Sequence, residues 1–233
     1  MTTLPVLDCG YVELVESWGS DERIVEAARM STNKGFLGWG PKEDGKPGDE
    51  KLLRYLYENH HATPFEMGGL IIEVQAPIFV FREWHRHRTQ SYNELSARYT
   101  QMPNIHYVPD KSRVKAQSKT NKQATGSDEL DPKLVHEFLT EVQKQQEMLY
   151  ESYDRWVKAG IPKELARINT PVSRYSRMRA SANLRNWLGF LSLRMASGAQ
   201  WEIREYAYAV AALIKQCFPR TWQLFEEANP DKV

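Results

Sequence analysis

Hydrophobic residues recur three or four positions apart along much of the chain, and this spacing predicts helices. The predicted helices cover residues 21–30, 51–60, 131–160, 181–197 and 199–217, with shorter ones from Pro77 to Trp84 and from Pro162 to Arg167. Residues 69–75 are instead rich in β-branched side chains, which predicts a strand. Helices outnumber strands, and strand and helix do not alternate. We therefore predict one α+β domain over residues 1–233, with helices packed around a small, mainly antiparallel sheet.

Polar segments separate these elements. Asp21 is expected to cap the first helix, and Asp131 followed by Pro132 opens the longest one. Residues 33–50 are rich in Gly, Pro, Lys and Asp and are predicted to form an exposed loop. Residues 110–131 contain almost no large apolar side chain, so they cannot bury enough surface to hold one conformation. We predict a mobile loop there.

Composition narrows the class of protein without identifying it. The 233 residues are 41% hydrophobic and 26% charged with a formal net charge of +1, which are values of an ordinary globular protein. No apolar run reaches the roughly 18 residues of a membrane helix, and the first residues lack the features of a secretory signal. Cys9 and Cys217 are far apart in the sequence and form no C-x-x-C motif. We expect a cytoplasmic protein without membrane contacts.

Residues 82–99 combine arginines with polar side chains at high density. Arg86, Arg88 and Arg98 are permanent cations whose planar geometry suits phosphate or a polarised carbonyl. Ser91, Asn93, Glu94 and Ser96 add hydrogen-bonding groups between them. A solvated basic helix is the commonest meaning of such a run. The interleaved polar residues favour a functional site instead.

A second group of arginines follows in the C-terminal third, at positions 167, 174, 177, 179, 185, 194 and 204. Arg194 stands out because it lies in a predicted helix beside Trp187 and Leu191. An unpaired buried guanidinium is costly, so Arg194 needs either a ligand or an ion-pair partner. Glu66 and Glu94 are the carboxylates that could supply the ion pair.

Other features are less informative. The pair His60 and His61 is a poor chelate because neighbouring side chains point in different directions, and no H-E-x-x-H motif occurs, so no metal is expected. Glycine-rich phosphate loops are also missing, so a nucleotide would have to be held by side chains.

An alternative function is that of a nucleic-acid-binding module that uses the arginines with Trp84, Tyr92 and Tyr99 as stacking surfaces. The isoelectric point of about 7.8 argues against it.

The run from Arg86 to Arg98 resembles, at every defined position, the R-H-R-x-x-S-x-N-E-x-S-x-R motif of flavin-dependent thymidylate synthases. Residues 27–31, 61–66 and 183–203 are similar to further patterns of that family. The resemblance implies FAD as cofactor and a homotetramer whose active sites are shared between subunits. It also implies reductive methylation of dUMP to dTMP, with methylenetetrahydrofolate as carbon donor, NADPH as reductant, and no cysteine nucleophile or nucleic-acid partner.

The resemblance also assigns residues by position. The implied FAD contacts are Ser31, Thr63, Arg86, His87, Arg88, Glu94, Asn183, Arg185 and Gly189. The implied dUMP contacts are Glu83, Trp84, His85, Arg86, Glu94, Leu95, Ser96, Ala97, Arg98, Arg167 and Arg194. Among these, Arg194 is the implied catalytic residue, lying against the uracil ring and favouring its ionisation at N3.

Three positions depart from the family pattern. Glu83 stands where many members have glutamine, Gly189 where His or Asn is common, and Gly198 where relatives have a larger polar residue. These departures concern individual contacts and leave the implied reaction unchanged. The polar loop 110–131 corresponds to a substrate-side loop of the family. We expect Arg113, Lys115 or Gln117 to help close it over ligand.

Overall fold

The computed structural model describes residues 2–41, 45, 47–122 and 124–232. Within these residues the chain forms one antiparallel sheet of five strands in the order β1-β2-β3-β5-β4. The strands are β1 (Thr3–Val6), β2 (Gly10–Trp18), β3 (Gly69–Pro77), β4 (Ser91–Glu94) and β5 (Tyr175–Asn183). The predicted α+β class with a small antiparallel sheet is confirmed.

Eight α-helices lie in the described part of the chain. They are α1 (Asp21–Arg29), α2 (Asp49–Glu58), α3 (Ile78–Trp84), α4 (Pro132–Lys158), α5 (Lys163–Ala166), α6 (Leu184–Arg194), α7 (Trp201–Cys217) and α8 (Pro219–Ala228). No helix of the described residues is long and apolar enough to cross a membrane.

The pairing of β5 determines where the arginine-rich motif lies. β5 pairs with β3 over its whole length, from Gly69 opposite Asn183 to Pro77 opposite Tyr175. Its other edge pairs with β4, where Ser91 is opposite Ser181. The start of the motif's strand is therefore fixed beside the end of β5, which leads directly into α6.

One face of the sheet is packed against helices. Alternate residues of β3 point into this core, and Leu70, Ile72 and Val74 are fully buried. The facing side of α7 contributes Ile203 and Val210, which are also fully buried. Each such side chain stabilises the fold by about 1.5–3 kcal/mol relative to exposure, so the core is a firm base for the residues at the sheet's edge.

The predicted helices are largely present, but several boundaries and strands differ. Residues 181–183 were predicted as helix, whereas they are the end of β5, and helix α6 spans only Leu184–Arg194. Helix α2 begins at Asp49, inside the predicted loop 33–50, of which residues 42–44 and 46 lie outside the described residues. Strands β1, β2, β4 and β5 and helix α8 were not predicted.

Asp21 has a different role from the predicted one. Ser20 caps α1, since its side chain accepts from the backbone N–H of Arg23 at 3.4 Å. Asp21 is buried and accepts instead from the backbone N–H groups of Arg220 and Thr221, at 2.8 and 3.1 Å, and from the Thr221 hydroxyl at 2.6 Å. The carboxylate thus satisfies the free donors at the start of α8 and ties the two ends of the chain together.

The loop 110–131 is attached to α7 through one ion pair. Arg113 Nε donates to Glu202 Oε1 at 3.0 Å, and Glu202 is buried. Glu202 also accepts from the Tyr107 hydroxyl at 3.2 Å. Further ion pairs join Lys115 to Glu129 within the loop. The mobility of this segment, and its closure over a ligand, stay predictions.

Candidate active site

The R-H-R turn between α3 and β4 is fixed by buried hydrogen bonds. Trp84, the last residue of α3, is fully buried, and its indole N–H donates to Gln90 Oε1 at 3.0 Å. The Tyr92 hydroxyl donates to the carbonyl oxygen of His87 at 2.7 Å. Both ends of the turn are therefore held by the protein interior, while the charged side chains of Arg86 and Arg88 point into solvent.

This turn runs alongside helix α6. Near the start of the helix, the Asn186 side chain donates to the carbonyl oxygen of Thr89 at 3.1 Å. Further along, the His87 ring lies edge-on to Phe190, with centroids 4.9 Å apart. At the end of the helix, Arg194 reaches Glu83. The turn therefore connects the two ends of α6, each of which carries a predicted site residue.

Arg194 is held by groups from α3 and the turn. Its guanidinium donates from Nε to His87 Nε2 at 2.8 Å and from Nη1 to Glu83 Oε2 at 2.9 Å. Nη2 donates to the Glu83 carbonyl oxygen at 2.9 Å. The expectation that Glu66 or Glu94 would supply the ion pair is wrong. Glu83, which the resemblance gave as a dUMP contact and as a departure from the family pattern, supplies it.

His87 is neutral at physiological pH in this environment. Burial, and secondarily the positive charge of Arg194, lower the pKa of His87 from 6.5 to about 4. Since Nε2 accepts the proton of Arg194, the ring's remaining proton is on Nδ1. His87 therefore serves as a hydrogen-bond acceptor that orients Arg194 without adding a competing positive charge.

Glu94 and the free arginines form the outer part of the site. Glu94 Oε1 accepts from the Ser176 hydroxyl at 2.7 Å, a partner that nothing in the sequence pattern pointed to. Among the described residues, Arg86 and Arg88 take part in no ion pair. Two exposed guanidinium groups without an ion-pair partner favour an anionic ligand.

A separate group forms around α5. Arg98 Nε lies 3.7 Å from Glu164 Oε2, and the two side chains are more than half exposed. Arg167 follows Glu164 within one helical turn, so two of the predicted dUMP contacts, Arg98 and Arg167, lie near each other at α5. Ser96 Oγ accepts from the backbone N–H of Arg98 at 3.3 Å, which shapes the turn.

Four other predicted substrate contacts differ in how accessible they are. The side chains of Trp84 and Ala97 are buried, so within this chain they support the site and do not line it. Leu95 is half-buried, and its backbone N–H donates to the Arg177 carbonyl oxygen at 2.8 Å. The His85 ring packs against Tyr92 with centroids 4.8 Å apart.

Three of the predicted FAD contacts, Asn183, Arg185 and Gly189, lie at or near the start of α6. Arg185 Nη1 donates to Glu66 Oε1 at 2.6 Å, and Asn183 Oδ1 caps the helix by accepting from the Asn186 N–H at 2.9 Å. An open cavity of about 510 Å³ lies beside Arg185, lined also by His61, which had not been assigned to the site. A side chain added at Gly189 would meet nothing within 4 Å. The glycine is therefore not required by the fold.

Ser31 and Thr63 both lie close to helix α1. Ser31 follows α1, and its hydroxyl donates to the Ala28 carbonyl oxygen at 3.0 Å. Thr63 begins the short 3-10 helix that packs on α1. Both residues are exposed.

The predicted site residues thus form three main groups within one chain. The first is Arg194 with Glu83 and His87, and the second is Arg185 with its neighbours. Arg98 and Arg167 make the third. About nine residues of α6 separate Arg185 from Arg194, or roughly 14 Å at 1.5 Å per residue. A nucleotide bound along the turn and α6 could touch the first two groups together.

Cysteine and metal chemistry receive no support from the described residues. Burial raises the pKa of the Cys9 and Cys217 thiols, with Asp8 adding to the effect at Cys9, so neither is activated as a thiolate. No group of three or more His, Cys, Asp or Glu residues is placed to hold a metal ion in the described ranges.

Taken together, the fold and these groups define an α+β protein with a side-chain-built site for anionic, hydrogen-bonding ligands. The family model described as "Thymidylate synthase complementing protein" matches residues 13–220. A flavin-dependent thymidylate synthase from Thermus thermophilus is 41% identical over 225 residues, 97% of this chain and 78% of the relative. One from Thermotoga neapolitana is 38% identical over 222 residues, covering 95% of this chain and 93% of the relative.

Solved structures give the same result. Crystal structures of the UMP/dUMP methylase PolB from Streptomyces cacaoi, bound with 5-Br UMP and 5-Br dUMP, match with TM-scores of 0.80 and 0.82. They are 33% and 32% identical, and the matches cover 95% and 96% of this chain and 96% and 97% of theirs. The chain belongs to the flavin-dependent thymidylate synthase family. Membership confirms the resemblance and the prediction of an enzyme.

Proposed function

We propose that this protein converts dUMP to dTMP using methylenetetrahydrofolate, NADPH and bound FAD. In this reaction C5 of the uracil forms a bond to the methylene carbon, and both bonds from that carbon to the folate nitrogens break. A hydride that originates from NADPH completes the methyl group. The C5 proton is lost, and the two folate nitrogens take up two protons, so the overall reaction consumes one proton from solvent. Folate leaves as tetrahydrofolate and NADPH as NADP⁺.

The observation that carries this proposal is the environment of Arg194. A permanent cation is held at the end of α6 by a neutral histidine and a carboxylate. It lies beside a turn whose two free arginines suit an anionic ligand. A guanidinium next to the uracil stabilises the negative charge that develops when N3 gives up its proton to solvent. The ring's C5 then becomes a better nucleophile without a cysteine.

The donor set also fits a flavin dinucleotide. FAD carries a diphosphate and many hydrogen-bonding groups, and this family member lacks a glycine-rich phosphate loop. Arg86, Arg88 and Arg185 supply cations, while Ser31, Thr63 and Asn183 supply neutral hydrogen-bonding groups. When bound, FAD supplies the redox chemistry that passes reducing equivalents from NADPH to the new methyl group.

The remaining residues position the nucleotide. Arg98 and Arg167, both near α5, are proposed to bind its phosphate. Ser96 and Glu94 are placed to hydrogen-bond its neutral groups, with Glu94 oriented by Ser176. Leu95 and His85 are proposed to shape the pocket walls, and buried Trp84 and Ala97 to support them from below. Gly189 leaves the flavin side open where relatives have a larger side chain.

A first experiment tests the cofactor and the reaction together. Purified protein should be yellow or should shift the flavin absorbance when FAD is added. It should then form dTMP from dUMP with methylenetetrahydrofolate and NADPH. UMP is the comparison substrate, because the solved relatives are UMP/dUMP methylases. A colourless protein that ignores FAD and leaves dUMP unchanged would overturn the proposal.

A second experiment tests the role of Arg194. Arg194→Ala should lower kcat for dTMP formation by about 100-fold or more while FAD stays bound. The flavin absorbance spectrum reports retention of the cofactor. Normal turnover in this variant would show that Arg194 does not activate the base.

We further propose a homotetramer with active sites shared between subunits, working in the cytoplasm. Large apolar side chains are exposed along one side of α4 and beyond it, which a partner subunit would cover. They are Leu134, Phe138, Met148, Trp156, Leu165, Ile168 and Val172. Association would also unite the three groups of site residues. Light scattering should give four times the mass of the chain, and a monomer with full activity would contradict the shared site.

A further inference from the structure

The guanidinium of Arg194 is oriented by hydrogen bonds to groups of the protein itself. It has five N–H groups, of which three are used: one toward His87 and two toward Glu83. The two that remain belong one to each terminal nitrogen. Only 16% of the Arg194 side chain is exposed, so these two donors are the part of the group that a ligand can engage.

The groups that hold Arg194 are themselves fixed by the core. Glu83 lies one residue before Trp84, whose ring is fully buried and packs against Phe190 at 4.6 Å between centroids. The Glu83 carbonyl oxygen accepts from the backbone N–H of Arg86 at 3.3 Å as well as from Arg194. A backbone anchored in this way fixes the carbonyl oxygen of Glu83 and the start of its side chain beside Arg194.

The Glu83 carboxylate is poorly suited to contact the nucleotide directly. One of its oxygens is occupied by Arg194, and a second negative charge next to a phosphate-bearing substrate is unfavourable. By contrast, the side-chain and carbonyl oxygens of Glu83 accept hydrogen bonds from Arg194 and restrict the long arginine side chain to one orientation. Such restriction removes the entropy cost of ordering the arginine when substrate binds.

We infer that Glu83 is a positioning residue that acts on the substrate through Arg194, whose two free donors it directs to the uracil ring. This inference rests on the proposed function. It differs from the assignment that follows from family resemblance, in which Glu83 touches dUMP itself. Glutamine at this position would supply the same acceptor oxygen without the charge, so the geometry and not the charge is the essential contribution.

Steady-state kinetics on the flavin-bound enzyme test this role. Glu83→Ala should lower kcat for dTMP formation by about 10- to 100-fold, with a smaller change in KM for dUMP. Glu83→Gln should restore kcat to within about fivefold of wild type. Glu26→Ala, which removes an exposed carboxylate from its own pair with Arg23, is the matched control and should leave both constants unchanged.

A binding cycle separates positioning from direct contact and requires no turnover. The dUMP dissociation constant is measured by calorimetry for wild type, Glu83→Ala, Arg194→Ala and the double variant. Glu83→Ala should weaken binding about 10-fold in wild type and less than about twofold when Arg194 is already absent. If Glu83→Ala loses flavin, Glu83→Leu takes its place in the cycle.

The outcomes are distinct. Equal effects of Glu83→Ala with and without Arg194, or a Glu83→Gln variant as impaired as Glu83→Ala, would overturn the inference. A wild-type enzyme that neither binds nor methylates dUMP would instead overturn the proposed function.

Discussion

Replacing His87 with glutamine is expected to remove a loss of stability that the wild-type protein undergoes between about pH 6.5 and pH 4. Burial first, and Arg194 second, lower the pKa of His87 to about 4 in the folded chain. Above about pH 6.5 the ring is neutral in both states. As the pH falls, the unfolded chain takes up a proton there and the folded chain does not, so the free energy of unfolding decreases until both are protonated.

The size of this effect follows from the difference in pKa. A shift from 6.5 to about 4 corresponds to at most about 3 kcal/mol, at about 1.4 kcal/mol per pKa unit. The ring is only half-buried, and solvent screening reduces the figure to about 1–2 kcal/mol. Glutamine is the chosen substitute because its side-chain oxygen accepts a hydrogen bond from Arg194 but does not titrate.

Urea unfolding at about pH 7.5, pH 6 and pH 4.5 measures the effect, at one protein concentration and flavin content. The difference in the free energy of unfolding between wild type and His87→Gln should change by about 1–2 kcal/mol across this range. The other titrating groups are common to both proteins and cancel in this difference. His136→Gln, at an exposed position on α4, is the control and should track wild type. Parallel stability curves for His87→Gln and wild type would refute the reasoning.

Three further predictions concern other parts of the chain. Arg113→Met leaves Glu202 buried without its ion-pair partner, so the free energy of unfolding should fall by about 1–3 kcal/mol. Amide exchange in residues 110–131 should become faster, and unchanged exchange would argue that this ion pair does not hold the loop on α7. Arg174→Met removes a fully buried guanidinium that forms no ion pair within the described ranges, so the thermal midpoint should hold or rise, and a marked drop would contradict this. Cys9→Ser combined with Cys217→Ser should keep kcat within about twofold, whereas lost turnover in a folded, flavin-bound protein would implicate a thiol.

The helices were predictable because each buries one stripe of apolar side chains. The predicted helix over residues 131–160 corresponds closely to Pro132–Lys158, and the one over 21–30 to Asp21–Arg29. Capping residues and proline mark their starts in the sequence, since these act through neighbouring backbone groups. Helix α8 was missed although Pro219 marks its start, and the carboxylate that accepts from its first N–H groups, Asp21, lies about 200 positions earlier in the chain.

The strands were harder to recognise for a physical reason. In β5 the buried positions include Ala180 and Ala182, which are small, while the outward positions carry Arg177 and Arg179. This alternation has period two, but alanine and arginine both favour helices, so the pattern resembles a basic helix. The segment is a strand because it pairs along the full length of β3, and that pairing joins residues about a hundred positions apart.

The sequence by itself determined the family motif, the fold class and the requirement that Arg194 find a partner. All three depend on residue identity and local spacing, which the chain carries directly. The tertiary structure alone decided that the partner is Glu83 together with a neutral His87, and that Glu66 belongs to Arg185 instead. Ion pairs form wherever packing brings side chains within a few ångströms. Which carboxylate reaches Arg194 therefore depends on how the turn after α3 lies along α6.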